Sequence, residues 1–147
     1  MIKKFKTLMV AAFSVALLAV VSCSGGGKEE TLAPIPLEFD QESFTAARLV
    51  IDSVSPIGQS FGTLYVTLAK PLVKKGYSEP SIQMYVYDAN GESVSYGGMC
   101  ELFSEIQEMT GKAPQNVEGE EIAIPYDGML DRGIKEYGAV KLVVEPR

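Results

Sequence analysis

Alternation of apolar and polar positions is the dominant signal in this chain. Leu64, Val66 and Leu68 alternate with Tyr65, Thr67 and Ala69 between Gly62 and Pro71, which predicts a strand with one core face and one half-wet face. Ile82, Met84 and Val86 stand in the same way against Gln83, Tyr85 and Tyr87. Ahead of these, the stretch from Arg48 to Ile57 carries the β-branched run Leu49-Val50-Ile51-Asp52-Ser53-Val54 and stops at Ser55-Pro56. That composition predicts a first strand with a register break near Asp52. Gly119 to Tyr126 alternates through Ile122 and Ile124, and Pro125 marks an edge or a strand end because it has no amide proton to donate. Ala139–Glu145 sets Val140, Leu142 and Val144 against Lys141, Val143 and Glu145, which predicts a final strand.

Between these strands the punctuation is specific. Asp88-Ala89-Asn90-Gly91 separates the third run from Glu92–Tyr96, and Asn-Gly between two strand-like runs predicts a β-hairpin. Leu102, Phe103, Ile106 and Met109 fall at helical spacing within Glu101–Met109, with Gly111 and Pro114 ending the pattern. A loop containing Gly128 and Gly133 is expected before the last strand. The predicted fold class is therefore mainly β, an antiparallel β-sandwich with one short helical insertion. Six or so strands in sequential hairpins, without a βαβ rhythm, resemble the immunoglobulin-like or fibronectin-like domains of bacterial surface lipoproteins. Tryptophan and the cysteine pair of true immunoglobulin domains are absent.

The N-terminus follows a different pattern. Met1-Ile2-Lys3-Lys4-Phe5-Lys6 is basic, Thr7 to Val21 is apolar, and Val20-Val21-Ser22-Cys23 places a small residue before a cysteine. About 15 residues rising ~1.5 Å each cover roughly 22 Å, short of the ~30 Å hydrocarbon core, so the stretch reads as a cleaved secretory signal rather than a spanning helix. The quartet resembles the lipobox of bacterial lipoproteins. That resemblance implies cleavage before Cys23, diacylglycerol on its sulfur, a further acyl chain such as palmitate on its amine, and attachment to the cell outer membrane by lipid alone. Residues 1–22 are then the signal peptide, 23–36 a lipidated N-terminus and flexible tether, and 37–147 the β-sandwich domain. Ser24-Gly25-Gly26-Gly27-Lys28-Glu29-Glu30 suits a tether. Its acidic pair also resembles the tag that sends some lipoproteins to the outer face of the outer membrane, and a plain solvated linker explains it equally.

Charge and composition narrow the partners. Cleavage after residue 22 leaves 125 residues with 10 basic and 19 acidic side chains, a net charge of −9, which disfavours nucleic acid and anionic membrane surfaces as partners. Histidine is absent, which removes Ser-His-Asp and Cys-His nucleophile systems and the usual zinc sites. No phosphate loop or dinucleotide fingerprint is present, and no cofactor or metal is expected. Once Cys23 carries lipid, Cys100 has no disulfide partner; it is expected as a small buried hydrophobe, with a reactive thiol as the alternative.

Two constellations carry candidate chemistry. Glu118, Glu120, Glu121, Asp127 and Asp131 cluster late in the chain, and a carboxylate pair is what a glycan hydrolase needs, although a solvated acidic face gives the same pattern. Asp88-Ala89-Asn90-Gly91-Glu92-Ser93 spaces oxygen ligands as a calcium loop does, but Met99 stands where an EF-hand closes with glutamate, so a hairpin turn is expected. The candidate ligand-binding residues are tyrosines. Tyr85 and Tyr87 share one strand face, and Tyr96 is expected to join them across the hairpin as a platform for a sugar or a protein. Simple coverage of a sheet by a residue of high β propensity is the other reading. Together these features predict a non-enzymatic, lipid-anchored envelope module that binds a protein or glycan, with a structural subunit of a surface assembly, or a carboxylate hydrolase, as alternatives.

Overall fold

Residues spaced two apart build the strands of the computed structural model, which describes residues 35–73 and 79–147. The predicted leader, Cys23 and the tether as far as residue 34 lie outside the described residues. The strands are β1 (Leu37–Phe39), β2 (Phe44–Val54), β3 (Ser60–Leu68), β4 (Ser81–Asp88), β5 (Met99–Leu102), β6 (Glu121–Gly128) and β7 (Ala139–Pro146). Two helices, α1 (Phe103–Thr110) and α2 (Leu130–Tyr137), follow β5 and β6.

The strands form two sheets, one of four strands in the order β1-β7-β4-β5 and one of three in the order β2-β3-β6. Each sheet buries alternate residues, as the period-2 pattern requires. Leu64, Val66 and Leu68 on β3, Ile82, Met84 and Val86 on β4, and Ile122 and Ile124 on β6 are all at most 4 % exposed. Leu142 and Val144 on β7, Phe103 and Ile106 on α1, and Phe44, Tyr126 and Leu130 belong to the same core. The break expected near Asp52 is present: the β2–β3 register shifts between Ile51 and Ser53. Gly62 sits opposite that shift, and a Cβ there would lie 1.9 Å from the Val50 carbonyl oxygen. The expected hairpin turn also forms, with Gly91 at φ +80° and the Asp88 carboxylate accepting the amides of Asn90 and Glu92 at 2.9 and 3.0 Å.

Several expectations are corrected by the packing. The four-stranded sheet is mixed, because β1 runs parallel to β7 through Leu37–Leu142, Glu38–Val143 and Phe39–Val144. Short turns force neighbouring strands antiparallel, whereas β1 and β7 have almost the whole domain between them as a crossover. Glu92–Tyr96 makes one bridge, Tyr87 to Ser93, rather than a strand. Gly97, at φ +92°, turns the chain so closely against α2 that a Cβ would come within 3.0 Å of Leu130 Cα. Pairing resumes at β5, where Ile82 faces Glu101 and Ser81 faces Leu102, so the helix starts at Phe103 and not at Glu101.

The loop expected around Gly128 and Gly133 is instead α2. Its glycine at 133 packs closely, since a Cβ would lie 3.1 Å from the Tyr96 carbonyl oxygen, and Gly138 at φ +66° ends the helix. The same region reverses one face of the last strand. A register shift between Tyr87 and Asp88 pairs Asp88 with Ala139, so Ala139 is buried and Val140 is 43 % exposed. Cys100 is exposed rather than buried. It pairs with Gln83 on the outward side of a four-residue edge strand, whose Met99 and Glu101 face Met84 and Ile82.

Candidate functional site

Tyr85 and Tyr87 project from β4 on the face opposite Met84 and Val86, as their spacing predicts. Both are half-buried, and their ring centroids lie 6.0 Å apart at 53°, a tilted aromatic pair. The pairing register decides what surrounds them. Tyr85 lies opposite Val143, Tyr87 opposite Lys141 and Gln83 opposite Glu145. Lys141 places its ammonium 5.8 Å from the Tyr87 ring and 3.5 Å from the Glu38 carboxylate. Gln83 donates from Nε2 to Glu145 Oε1 at 3.1 Å.

Beside this pair the β1–β7 edge opens into a recess of about 330 Å³, lined by Glu38, Phe39, Asp40, Val143, Glu145 and Pro146. Three of these six are carboxylates. The outer face of the four-stranded sheet thus combines two rings, one ammonium and an acidic hollow. Rings offer stacking area and carboxylates accept hydrogen bonds, so the arrangement suits hydroxyl-rich or basic groups.

Tyr96 does not join this group. The segment that Gly97 turns away from β4 carries Tyr96 to α2, where its ring lies 5.1 Å from Tyr137 at 30° and Arg132 stacks 4.8 Å above it. Arg132 Nε also donates to Glu136 at 2.8 Å, a hydrogen bond that raises the guanidinium pKa above its ordinary value. Partial desolvation, and then the neighbouring Tyr96, push the Tyr137 phenol up. Arg132 and Tyr137 are functional candidates that sequence reasoning missed, because they lie in the stretch expected as a loop. The i,i+4 charge spacing of Asp131 with Lys135 and of Arg132 with Glu136 was the signal that could have found them.

The late carboxylates are not gathered round one cleft. Glu120 accepts the backbone amides of Gln115 and Asn116 at 2.9 and 2.8 Å, and Asp127 accepts Gln59 Nε2 at 2.6 Å. Glu121 lies 3.9 Å from Arg48 and Asp131 is 2.9 Å from Lys135. Glu121 and Asp127 stand at opposite ends of β6, about 20 Å apart at ~3.3 Å per residue. Among the described residues no group of three His, Cys, Asp or Glu side chains is placed to hold a metal ion. Cys23, the residue expected to carry lipid, lies outside the described residues. Comparison with known protein families, with curated proteins and with solved structures finds no match to this chain.

Proposed function

We propose that this chain is a non-enzymatic binding module of a bacterial cell envelope, held at the outer membrane by lipid on Cys23, which engages an envelope protein or a glycan through the Tyr85–Tyr87 face. The observation that supports the binding role is the pairing of Tyr85 and Tyr87 on an outward sheet face beside a recess lined by Glu38, Asp40 and Glu145. Tyrosine contributes large contact area at low entropic cost, which is why it recurs at the centres of interfaces. In this reading the fold is a β-sandwich of immunoglobulin-like layering. Its strand orders, 1-7-4-5 and 2-3-6, are its own; the constant-type immunoglobulin arrangement keeps the first, second, fifth and fourth strands together and the third, sixth and seventh.

The test is the double substitution Tyr85→Ala/Tyr87→Ala in the full chain, assayed against envelope proteins and cell-wall or capsular glycans. Binding falls by roughly tenfold or more if the pair is a contact centre. A double variant that binds as the parent does removes the face from consideration. The anchor is tested separately by Cys23→Ser: acyl labelling and membrane partitioning are lost if that sulfur is the lipid acceptor, and persistence of both would refute the anchor.

A further inference from the structure

Among the described residues the three-stranded sheet has one guarded edge and one open edge. β6 is guarded: α1 lies alongside it, and Pro125 interrupts its amides. The Leu68 amide donates to the Glu120 carbonyl at 2.9 Å, and antiparallel alternation from that bond places Pro125 at a position whose missing N–H would face solvent. β1 and β5, the edges of the other sheet, span three and four residues. Among the described residues nothing covers β2, and its two bulges, at Thr45 and Asp52, leave Ala46–Ile51 in regular register. It runs 11 residues without proline or lysine and carries Leu49-Val50-Ile51 at its middle, the kind of edge on which strands add.

The same alternation shows which backbone groups are free. Ala46, Arg48 and Val50 pair with Thr67, Tyr65 and Thr63, whose amides and carbonyls turn toward β2. The amides and carbonyls of Ala47, Leu49 and Ile51 therefore point to the open side.

We propose that β2 pairs antiparallel with β2 of a second copy of this chain, about a two-fold axis through Val50. This inference goes beyond the ligand-binding role and does not depend on it. The sequence is complementary to itself in that register. Leu49 meets Ile51 of the second copy, Val50 meets Val50, and Arg48 meets Asp52, twice by symmetry. Arg48, Val50 and Asp52 are all exposed, and the Asp52 carboxylate has no hydrogen-bond or ion-pair partner among the described residues. Arg48 is already extended across the outer face, its guanidinium 3.8 Å above the Tyr65 ring, and its contact with Glu121 is long and solvent-exposed. Pairing joins the two three-stranded sheets into one continuous sheet of six strands. Opposite charges across a strand pair favour that register, and slipped registers lose them.

The test is register-specific cross-linking of the full chain carrying Cys23→Ser and Cys100→Ser, so that the introduced thiol is the only one. At a non-hydrogen-bonded pair the two Val50 Cα atoms stand ~4.5 Å apart, within disulfide range. Val50→Cys is expected to form disulfide-linked dimers under mild oxidation at least about tenfold faster than Val140→Cys, an exposed control on β7. Arg48→Asp or Asp52→Arg alone slows this cross-link, and the double exchange Arg48→Asp/Asp52→Arg restores it, because the pair is swapped and not lost. If Val50→Cys fails to fold, mixing Arg48→Cys chains with Asp52→Cys chains asks the same question: mixed dimers form and neither variant links to itself. A Val50→Cys rate no greater than the control, or a double exchange that fails to restore it, overturns the proposal, as does an absence of mixed dimers in the second experiment.

Discussion

The buried Tyr126 hydroxyl donates a 2.8 Å hydrogen bond to the Gly97 carbonyl, fastening the end of β6 to the turn that diverts the chain from β4. Tyr126→Phe leaves that carbonyl without its partner, and the expected loss is about 1–3 kcal/mol near pH 8. Burial raises the phenol well above its ordinary value of 10.0, with a backbone hydrogen bond from Leu130 acting the other way. The folded protein therefore holds this proton more tightly than the unfolded chain. The resulting stability is complete below about pH 10 and is lost as pH rises toward the folded value. Denaturant titrations of both proteins at about pH 8 and pH 11 check this: the gap between them narrows at the higher pH.

Glu101 reverses the usual carboxylate behaviour. Desolvation, and then the charge and hydrogen bond of Glu105, raise its pKa above 4.5. A raised carboxyl is most compatible with the folded state when protonated, so its contribution is present at low pH and fades as pH rises through the folded value. Glu101→Gln is expected to raise the melting temperature at pH 7 and to leave it unchanged near pH 3.5, as thermal scans in the two buffers would register.

Asp131 is 3 % exposed, with Oδ2 held 2.9 Å from Lys135 and no partner for Oδ1 among the described residues. Lys135→Met strands a buried charge. Because the lysine side chain is 53 % exposed, the cost should be about 1–2 kcal/mol, below that of a fully buried pair. The double variant Asp131→Leu/Lys135→Met recovers part of the loss. Additive losses in equilibrium unfolding would show that the pair does not act as a unit.

Gly62→Ala tests the β2 bulge. A methyl group there would lie 1.9 Å from the Val50 carbonyl oxygen, a backbone atom with no rotamer to change. The strand must shift, and about 1–3 kcal/mol or more of stability is expected to disappear. Gly91→Ala, at a turn with open space around it, should lose less.

Local patterning made the core strands legible. Leu64, Val66 and Leu68 bury as their alternation requires, and the break at Asp52 was visible because the apolar run stops there. What the sequence concealed depended on distant contacts. α2 was hidden by Gly133, which costs helix propensity but fits beneath Tyr96. β1 was hidden by its three-residue length after Pro34 and Pro36, and it exists because β7 pairs with it. Val140 and Cys100 turn outward against expectation because a bulge and a strand edge, neither readable from residue type, decide which way those positions face. Within the candidate site, the shared face of Tyr85 and Tyr87 followed from their spacing, whereas Tyr96 was diverted by Gly97, whose neighbour Leu130 lies 33 positions on.

The parallel pairing of β1 with β7 has a mechanical consequence. The polypeptide enters the domain at β1, so any tension carried by the preceding residues arrives first at Leu37–Phe39. A pull along the strand axis shears the three paired positions together, whereas a sideways pull peels them singly from Leu37 onward. With so few rungs, β1 is the part of the domain that yields first under such a load, which then passes along the chain to β2, whose ladder with β3 spans nine paired positions.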